Sequence, residues 1–470
     1  MRHAIVTALV YYNVAVLLYF ALATCAYLTL LITSAGEVMR QARDARHADY
    51  DLLLTSPLTP AVAIIAPAYN EGAGIAQSVR SLLALRYPNH EVIVVNDGST
   101  DDTLDVLRRE FALRRIDALY HPALPTRPVR GVYVSALEPT LTVVDKENGG
   151  KADALNCGVN VARAPLFSSI DADSLLEPDA LLRLVKPFVD EPDRVVAAGG
   201  IVRIANDLAV ERGSVTAVQL PRRPLPMFQV VEYLRAFLAG RAGWSALNSL
   251  LIISGAFALF RRDLVLAVGG YTVGCLGEDA ELVTRLHRHL RERRRPYKMV
   301  FLSDPVCWTE APESLRVLRR QRRRWHRGLA ETLSRHRGMF LRPRYGSVGS
   351  LAYPYFLAVE LLAPVVEATG YLTLPLAWLL GALDPRVALL LLALAIVYGL
   401  VLSLGALAIE EYRHHRYPTW RDLLRLCAYG VAENVGYHQL TVLWRLEGLL
   451  DLLRHSPTWG TMERRGLGAS

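Results

Sequence analysis

The stretch from Glu147 to Asp173, E-N-G-G-K-A-D-A-L-N-C-G-V-N-V-A-R-A-P-L-F-S-S-I-D-A-D, decides the fold. It opens on a turn, Gly149-Gly150, that presents Lys151 and predicts a helix from Ala152 onward. Glycine lets backbone approach a ligand closely, and a lysine at a helix N-terminus is placed to meet a diphosphate. The second half, Leu166 to Ile170, is an apolar run with the length of a buried strand. It stops abruptly at Asp171-Ala172-Asp173. Alternating residues at a strand end aim two carboxylates at one place. With substrate phosphates, they form a hard oxygen set suited to Mg²⁺ or Mn²⁺. An isolated D-x-D is usually a solvated acidic turn, and its neighbours decide otherwise here.

Upstream, Ala61–Ala66 and Glu91–Val95 are strand-like, with a helical stretch Gly74–Leu85 between them. That spacing of about 30 residues predicts a parallel sheet with crossover helices. Downstream, Val195–Ile204, Leu250–Phe260 and Tyr297–Leu302 are further strand candidates. Ligands in such α/β sheets bind beyond the carboxyl ends of the strands. Each exit is polar: Pro67-Ala68-Tyr69-Asn70-Glu71 after the first strand, Asn96-Asp97-Gly98-Ser99 after the second. Later, Gly277-Glu278-Asp279 opens a helix, and Gln321-Arg322-Arg323-Arg324-Trp325 lies on a basic one.

The ends of the chain have a different character. Of 470 residues, 52% are hydrophobic and 21% charged, with a net charge of +8. Apolar segments are concentrated rather than spread. Ala8 to Thr33 carries no charge over 26 residues, enough to cross a hydrocarbon core of about 30 Å. Tyr353–Leu383, broken by Pro354, Pro364 and Pro375, and Val387–Ile409 predict a helical hairpin. Arg40, Arg43 and Arg46 follow the first span, which puts the N-terminus outside and residue 40 onward in the cytoplasm. Glu360 and Glu367, seven residues apart, share a helix face, as a polar conduit or an internal hydrogen-bonded pair. Arg421 to Arg454 carries recurrent charges and suits a helix lying in the interface. Basic residues beside apolar spans mark a membrane face, and no aromatic-interleaved basic motif points to nucleic acid. Five scattered cysteines without metal spacing fit unpaired thiols in a reducing compartment.

The motif set P-A-Y-N-E, V-V-N-D-G-S-T-D-D-T, G-G-K-A-D-A-L-N, D-A-D, S-G-A-F, G-E-D and Q-R-R-R-W resembles a family-2 glycosyltransferase with the GT-A fold. More narrowly, it is similar to the processive membrane-embedded branch that makes cellulose, hyaluronan, chitin oligosaccharides and poly-N-acetylglucosamine. The likeness runs over residues 61–328, and Trp459-Gly460-Thr461-Met462 resembles the W-G-T-R gating loop, with methionine where that pattern has arginine.

The resemblance implies an α/β GT-A, Rossmann-like cytoplasmic domain over 58–310, after an N-terminal transmembrane anchor at 1–45. An interfacial region with the Q-x-x-R-W helix follows at 311–346, a transmembrane hairpin at 347–410, and an interfacial helix with the gating-type loop at 411–470. It implies that Ala68, Tyr69, Glu71, Asp97, Lys151, Asp171, Gln321 and Arg324 hold the nucleotide donor. Asp171 and Asp173 hold the metal, and Ser254, Trp325 and Trp459 the acceptor. Asp279 is the general base, assisted by Glu278. The outer face of the Arg316–Arg327 helix suits phospholipid. The expected activity is inverting, Mg²⁺- or Mn²⁺-dependent polymerisation of a β-linked polysaccharide in a bacterial inner membrane. UDP-GlcNAc is favoured as donor over UDP-Glc, and the nascent polysaccharide, membrane lipids and accessory secretion subunits are the partners. The alternative is addition of a single sugar to a lipid-linked acceptor.

Overall fold

The computed structural model describes residues 2–117, 122–171, 174–211, 214–414 and 419–454. Its strands are β1 (Val62–Ala68), β2 (His90–Asp97), β3 (Leu113–Ile116), β4 (Val129–Ser135), β5 (Leu141–Lys146), β6 (Leu166–Ile170), β7 (Leu175–Leu176), β8 (Val195–Ile204), β9 (Ala209–Glu211), β10 (Ser214–Ala217), β11 (Phe257–Arg261) and β12 (Lys298–Thr309). Ten of them form one sheet in the order β3-β4-β5-β2-β1-β6-β11-β8-β12-β7, and β9 and β10 pair separately.

Strand periodicity divides the core into two layers. Ala63, Ile65, Ile93 and Val95 face Leu155 and Val159 of the helix Lys151–Val161. Val62, Ile64, Val92 and Val94 face Ile75, Val79 and Leu82 of the helix Ile75–Leu83. Continuous apolar runs are what a sheet covered on both faces requires. Each such side chain contributes about 1.5–3 kcal/mol when fully buried.

The central strands β5, β2, β1 and β6 run parallel, as the spacing predicts. The sheet as a whole is mixed, however: β11 is antiparallel to both β6 and β8. This reversal matters for the site. An antiparallel strand starts where its neighbours end, so the register Phe257↔Ile170 brings Ser254-Gly255 beside Asp171. The expected strand Leu250–Phe260 is correspondingly shorter, because Leu250–Ile253 is buried without joining the ladder.

The N-terminal helix, Arg2–Arg46, is a single element of 45 residues. Its segment His3–Arg46 is long and apolar enough to cross a bilayer, as is Val348–Leu379. The latter contains π-helical turns at Val348–Ala352 and Phe356–Leu361, flanking Pro354 and preceding Pro364. Proline removes a backbone donor, and a widened turn accommodates the loss. A third long helix, Pro385–His414, follows. The segment 421–454, one helix in the sequence reading, is two, Trp420–Ala432 and Tyr437–Leu453, separated near Gly436.

Polar contacts fasten the helices to the sheet domain. Gln41 donates to the Phe301 carbonyl at 2.7 Å and accepts from the Ser303 N–H at 3.1 Å. Arg203 of β8 pairs with Glu410 at 2.6 Å, both buried, and Arg235 pairs with Glu433.

Candidate active site

The site starts at the end of β6. The Lys151 ammonium meets the Asp171 carboxylate at 2.5 Å and Glu278 at 3.7 Å. Lys151 is the first residue of its helix, and the turn before it needs Gly150, whose φ is 86°. Asp97, at the end of β2, holds that turn: its oxygens accept the N–H groups of Gly149 (3.0 Å) and Gly150 (2.7 Å). The buried Lys146 donates to Asp97 at 2.6 Å and pairs with Asp153 at 2.5 Å. Asp97 is therefore committed inside the chain. Both of its oxygens are engaged in holding the turn, and the residue is buried.

Antiparallel β11 supplies the next wall. The Gly255 N–H donates to Asp279 Oδ2 at 3.0 Å, fixing the carboxylate at the start of the helix Glu278–Glu292. A methyl group on Gly255 would lie 3.2 Å from Lys151 Nζ and 3.4 Å from Asp279 Oδ2, so only glycine keeps this corner open. Burial, the strongest influence on Lys151, works to lower its pKa, but the Asp171 and Glu278 carboxylates outweigh it and hold the ammonium well above its usual range. Burial raises Glu278, with the Asp279 charge adding to the effect.

The helix Leu315–Arg335 closes the site, capped by the Ser314 hydroxyl. One face presents Gln321, Arg324 and Trp325 to the cavity. Arg319 and Arg323 pair with Glu447 and Asp451 of the last helix, both at 2.7 Å. The sequence suits the outer face of this helix to phospholipid, and part of its charge is met within the chain. Two carboxylates on the last helix, 128 residues away in each case, take the charge of Arg319 and Arg323.

A single cavity of about 2410 Å³ joins these parts. It is lined by Lys151, Asp171, Ser254, Glu278, Asp279, Gln321, Arg324 and Trp325 of the sheet domain and the helix Leu315–Arg335, and also by Tyr19 and Tyr27 of the N-terminal helix, Glu360, Glu367 and Tyr371 of the segment Val348–Leu379, and His438 of the helix Tyr437–Leu453. Glu360 accepts from Tyr27 (3.0 Å) and Tyr355 (3.3 Å), and Glu367 meets His438 at 2.8 Å. Both glutamates thus line the cavity and are hydrogen-bonded within it. Ala68, Tyr69, Glu71 and Asp97 do not line it and stand at the neighbouring exits of β1 and β2. There Asn70 laces the two exits, donating to Ser99 (3.0 Å) and accepting from the Thr100 N–H (2.8 Å). Asp173 and the tail with Trp459 and Met462 lie outside the described residues.

The sequence reading missed the segment 224–246. There Glu232 accepts from Tyr437 and Arg322, each at 2.8 Å, and Arg322 lies over the Trp325 ring at 4.5 Å. The available signal was a set of charges, Glu232, Arg235 and Arg241, inside an otherwise apolar run.

Two family descriptions match the chain: "Glycosyl transferase family 2" over residues 63–122 and "Glycosyltransferase like family 2" over residues 134–328. Together they take in more than half of it. The chain belongs to glycosyltransferase family 2. Among curated relatives, poly-beta-1,6-N-acetyl-D-glucosamine synthase of Staphylococcus aureus strain COL is 27% identical over 267 residues, 57% of this chain and 54% of the relative. The synthase of the same description from Staphylococcus epidermidis is 26% identical over 275 residues, 58% and 56% of the respective chains. The match thus spans about half the length of these relatives. A mannosyltransferase from Pyrobaculum calidifontis, solved with GDP-Man and Mn²⁺, superposes with a TM-score of 0.49 at 21% identity, covering 88% of this chain and 99% of its own.

Proposed function

We propose that the protein is an inverting synthase that polymerises a β-linked polysaccharide from a UDP-sugar and passes the product through its own membrane helices. One observation carries this reading. One cavity is lined both by Lys151, Asp171 and Asp279 and by Glu360, Glu367 and Tyr371 of the segment read as spanning the membrane. A transferase acting once on a soluble acceptor has no use for such a lining. The likeness to poly-N-acetylglucosamine synthases supports UDP-GlcNAc as donor, with UDP-Glc the second choice.

In this reading Lys151 and Arg324 bind the diphosphate, Arg324 being suited to bidentate contact. Tyr69 and Glu71 contact the nucleoside from the β1 exit, where Ala68 ends the strand and Tyr69 is 47% exposed. Asp97 acts by positioning the glycine turn. Gln321 supports the donor from the helix Leu315–Arg335, and Ser254 and Trp325 take the acceptor. Asp279, oriented by the Gly255 N–H, removes the proton from the attacking acceptor hydroxyl. That oxygen bonds to the anomeric carbon as the bond to the diphosphate breaks, inverting the centre and releasing UDP. Glu278 adjoins both Lys151 and Asp279 and assists.

Asp171 supplies the hard carboxylate oxygens that Mg²⁺ or Mn²⁺ takes, and an ion bound there would share Asp171 with the Lys151 ammonium. Asp173 and diphosphate oxygens would complete the set, and the bound ion would neutralise charge growing on the leaving group. We place the protein in a bacterial inner membrane with its N-terminus outside, the catalytic domain cytoplasmic, and accessory secretion subunits as partners. The test is a donor screen in proteoliposomes followed by digestion with linkage-specific hydrolases. Polymer resistant to external hydrolase until the vesicles are opened supports synthesis with translocation. A single sugar added to lipid, or no UDP release, refutes it.

A further inference from the structure

Arg241 opens the helix Arg241–Ala246, immediately after a π-helical segment, Leu234–Gly240. Such turns collect at functional sites because the extra residue re-aims the side chains around it. Arg241 is 8% exposed, and its guanidinium lies flat over the Phe237 ring, 3.9 Å from the centroid. Its Nη1 is buried and meets no hydrogen-bond partner among the described residues. A buried N–H without an acceptor carries its desolvation penalty unrelieved, so a chain retains one where something else supplies the acceptor. The other arginines of this wall are engaged: Arg322 with Glu232, Arg235 with Glu433. Burial lowers Arg241 to about 10, and the strongest opposing influence is the Asp279 carboxylate.

The surroundings specify the ligand. Phe237 lies 6.1 Å from Trp325, so guanidinium, phenyl and indole make one continuous stretch of wall, and all three line the cavity with Asp279. The same cavity holds Glu232, Glu278 and Asp171. The diphosphate is already assigned to Lys151 and Arg324, and a neutral oxygen satisfies the Arg241 guanidinium without adding charge to a wall that also holds these carboxylates. We propose that Arg241 is an acceptor-binding residue, donating a hydrogen bond to an uncharged oxygen of the terminal acceptor sugar while that sugar rests on Trp325. The oxygen is an N-acyl carbonyl or a ring hydroxyl. This inference rests on the glycosyltransferase reading above.

The test measures binding of the N-acetylglucosamine pentamer, the glucose pentamer and UDP to the full-length protein in nanodiscs. Arg241→Met fills the same volume without the charge, and is expected to weaken pentamer binding about 10- to 100-fold while leaving UDP affinity unchanged. Arg241→Lys, which keeps a donor but not the planar fork, recovers part of the loss. Loss confined to the amino-sugar pentamer identifies the carbonyl, and loss of both identifies a hydroxyl. Pentamer affinity equal in wild type and Arg241→Met overturns the proposal, as does wild type that binds neither pentamer. A fall in UDP affinity instead reassigns Arg241 to the diphosphate and overturns it equally. Wild type that releases UDP from a sugar nucleotide while Arg241→Met binds pentamer normally sinks this inference alone. Failure to release UDP from any sugar nucleotide sinks the reading beneath it.

Discussion

Gly328→Ala probes how closely the two halves of the site must approach. Gly328 lies inside the helix Leu315–Arg335, one turn after Arg324 and Trp325, and touches Gly277, the residue before Glu278-Asp279. A Cβ on Gly328 would lie 2.8 Å from the Gly277 nitrogen, where ordinary contact begins near 3.4 Å. The backbones must therefore part by about 0.6 Å, with no flexible side chain to absorb the shift. Overpacking of this kind costs about 1–3 kcal/mol. Alanine recovers about 1 kcal/mol in a helix interior, so the variant still folds. Catalysis is more sensitive, since a misplacement of about 1 Å costs on the order of 10²-fold. The expected result is UDP release reduced about 10- to 100-fold in proteoliposomes, with the melting temperature lowered by only a few degrees. Because Gly277→Ala opens the same gap, the double variant should be little worse than the poorer single one. Gly328→Ala releasing UDP within about twofold of wild type would refute the reasoning.

Asp279→Asn should keep UDP affinity while transfer falls about 10²- to 10⁴-fold; near-normal incorporation of labelled sugar excludes it as the base. Chelation with EDTA should stop UDP release, with Mn²⁺ or Mg²⁺ restoring it, and full turnover in EDTA would rule out the metal. Buried His287 donates from Nε2 to the Leu250 carbonyl (2.9 Å) and accepts at Nδ1 from the Tyr297 hydroxyl (2.6 Å). Burial lowers it from 6.5 to about 4, so its contribution is present above pH 6.5 and is lost as pH falls from there toward 4. The loss amounts to at most about 3 kcal/mol. Wild type should therefore melt lower at pH 5 than at pH 7.5, with His287→Gln narrowing the difference; an equal difference in both proteins contradicts this.

β6 and β8 have the boundaries their apolar runs predict, whereas β4 and β5 went unread although β5 is largely buried. β3 went unread because L-R-R-I carries the charges of a sheet edge. Leu250–Ile253 misled for the opposite reason, since the run is apolar enough for a strand but spends its burial on loop packing. Lys151, Asp171, Ser254, Glu278, Asp279, Gln321, Arg324 and Trp325 line one cavity, whereas Ala68, Tyr69, Glu71 and Asp97 stand at the neighbouring strand exits. What remained hidden were pairings across long sequence separations. Nothing near Asp97 reveals that Lys146, 49 residues on, will take its oxygen, and Glu232 meets Arg322 across 90 residues.

The helix Arg2–Arg46, at 45 residues, is about 68 Å long, more than twice a hydrocarbon core of about 30 Å. Its far end is bolted to β12 through Gln41. A continuous rod of this kind has no joint between its apolar stretch and its contact with the sheet. With its apolar stretch in a bilayer, as proposed, a change in lipid thickness that tilts the rod reaches β12 without passing through a linker.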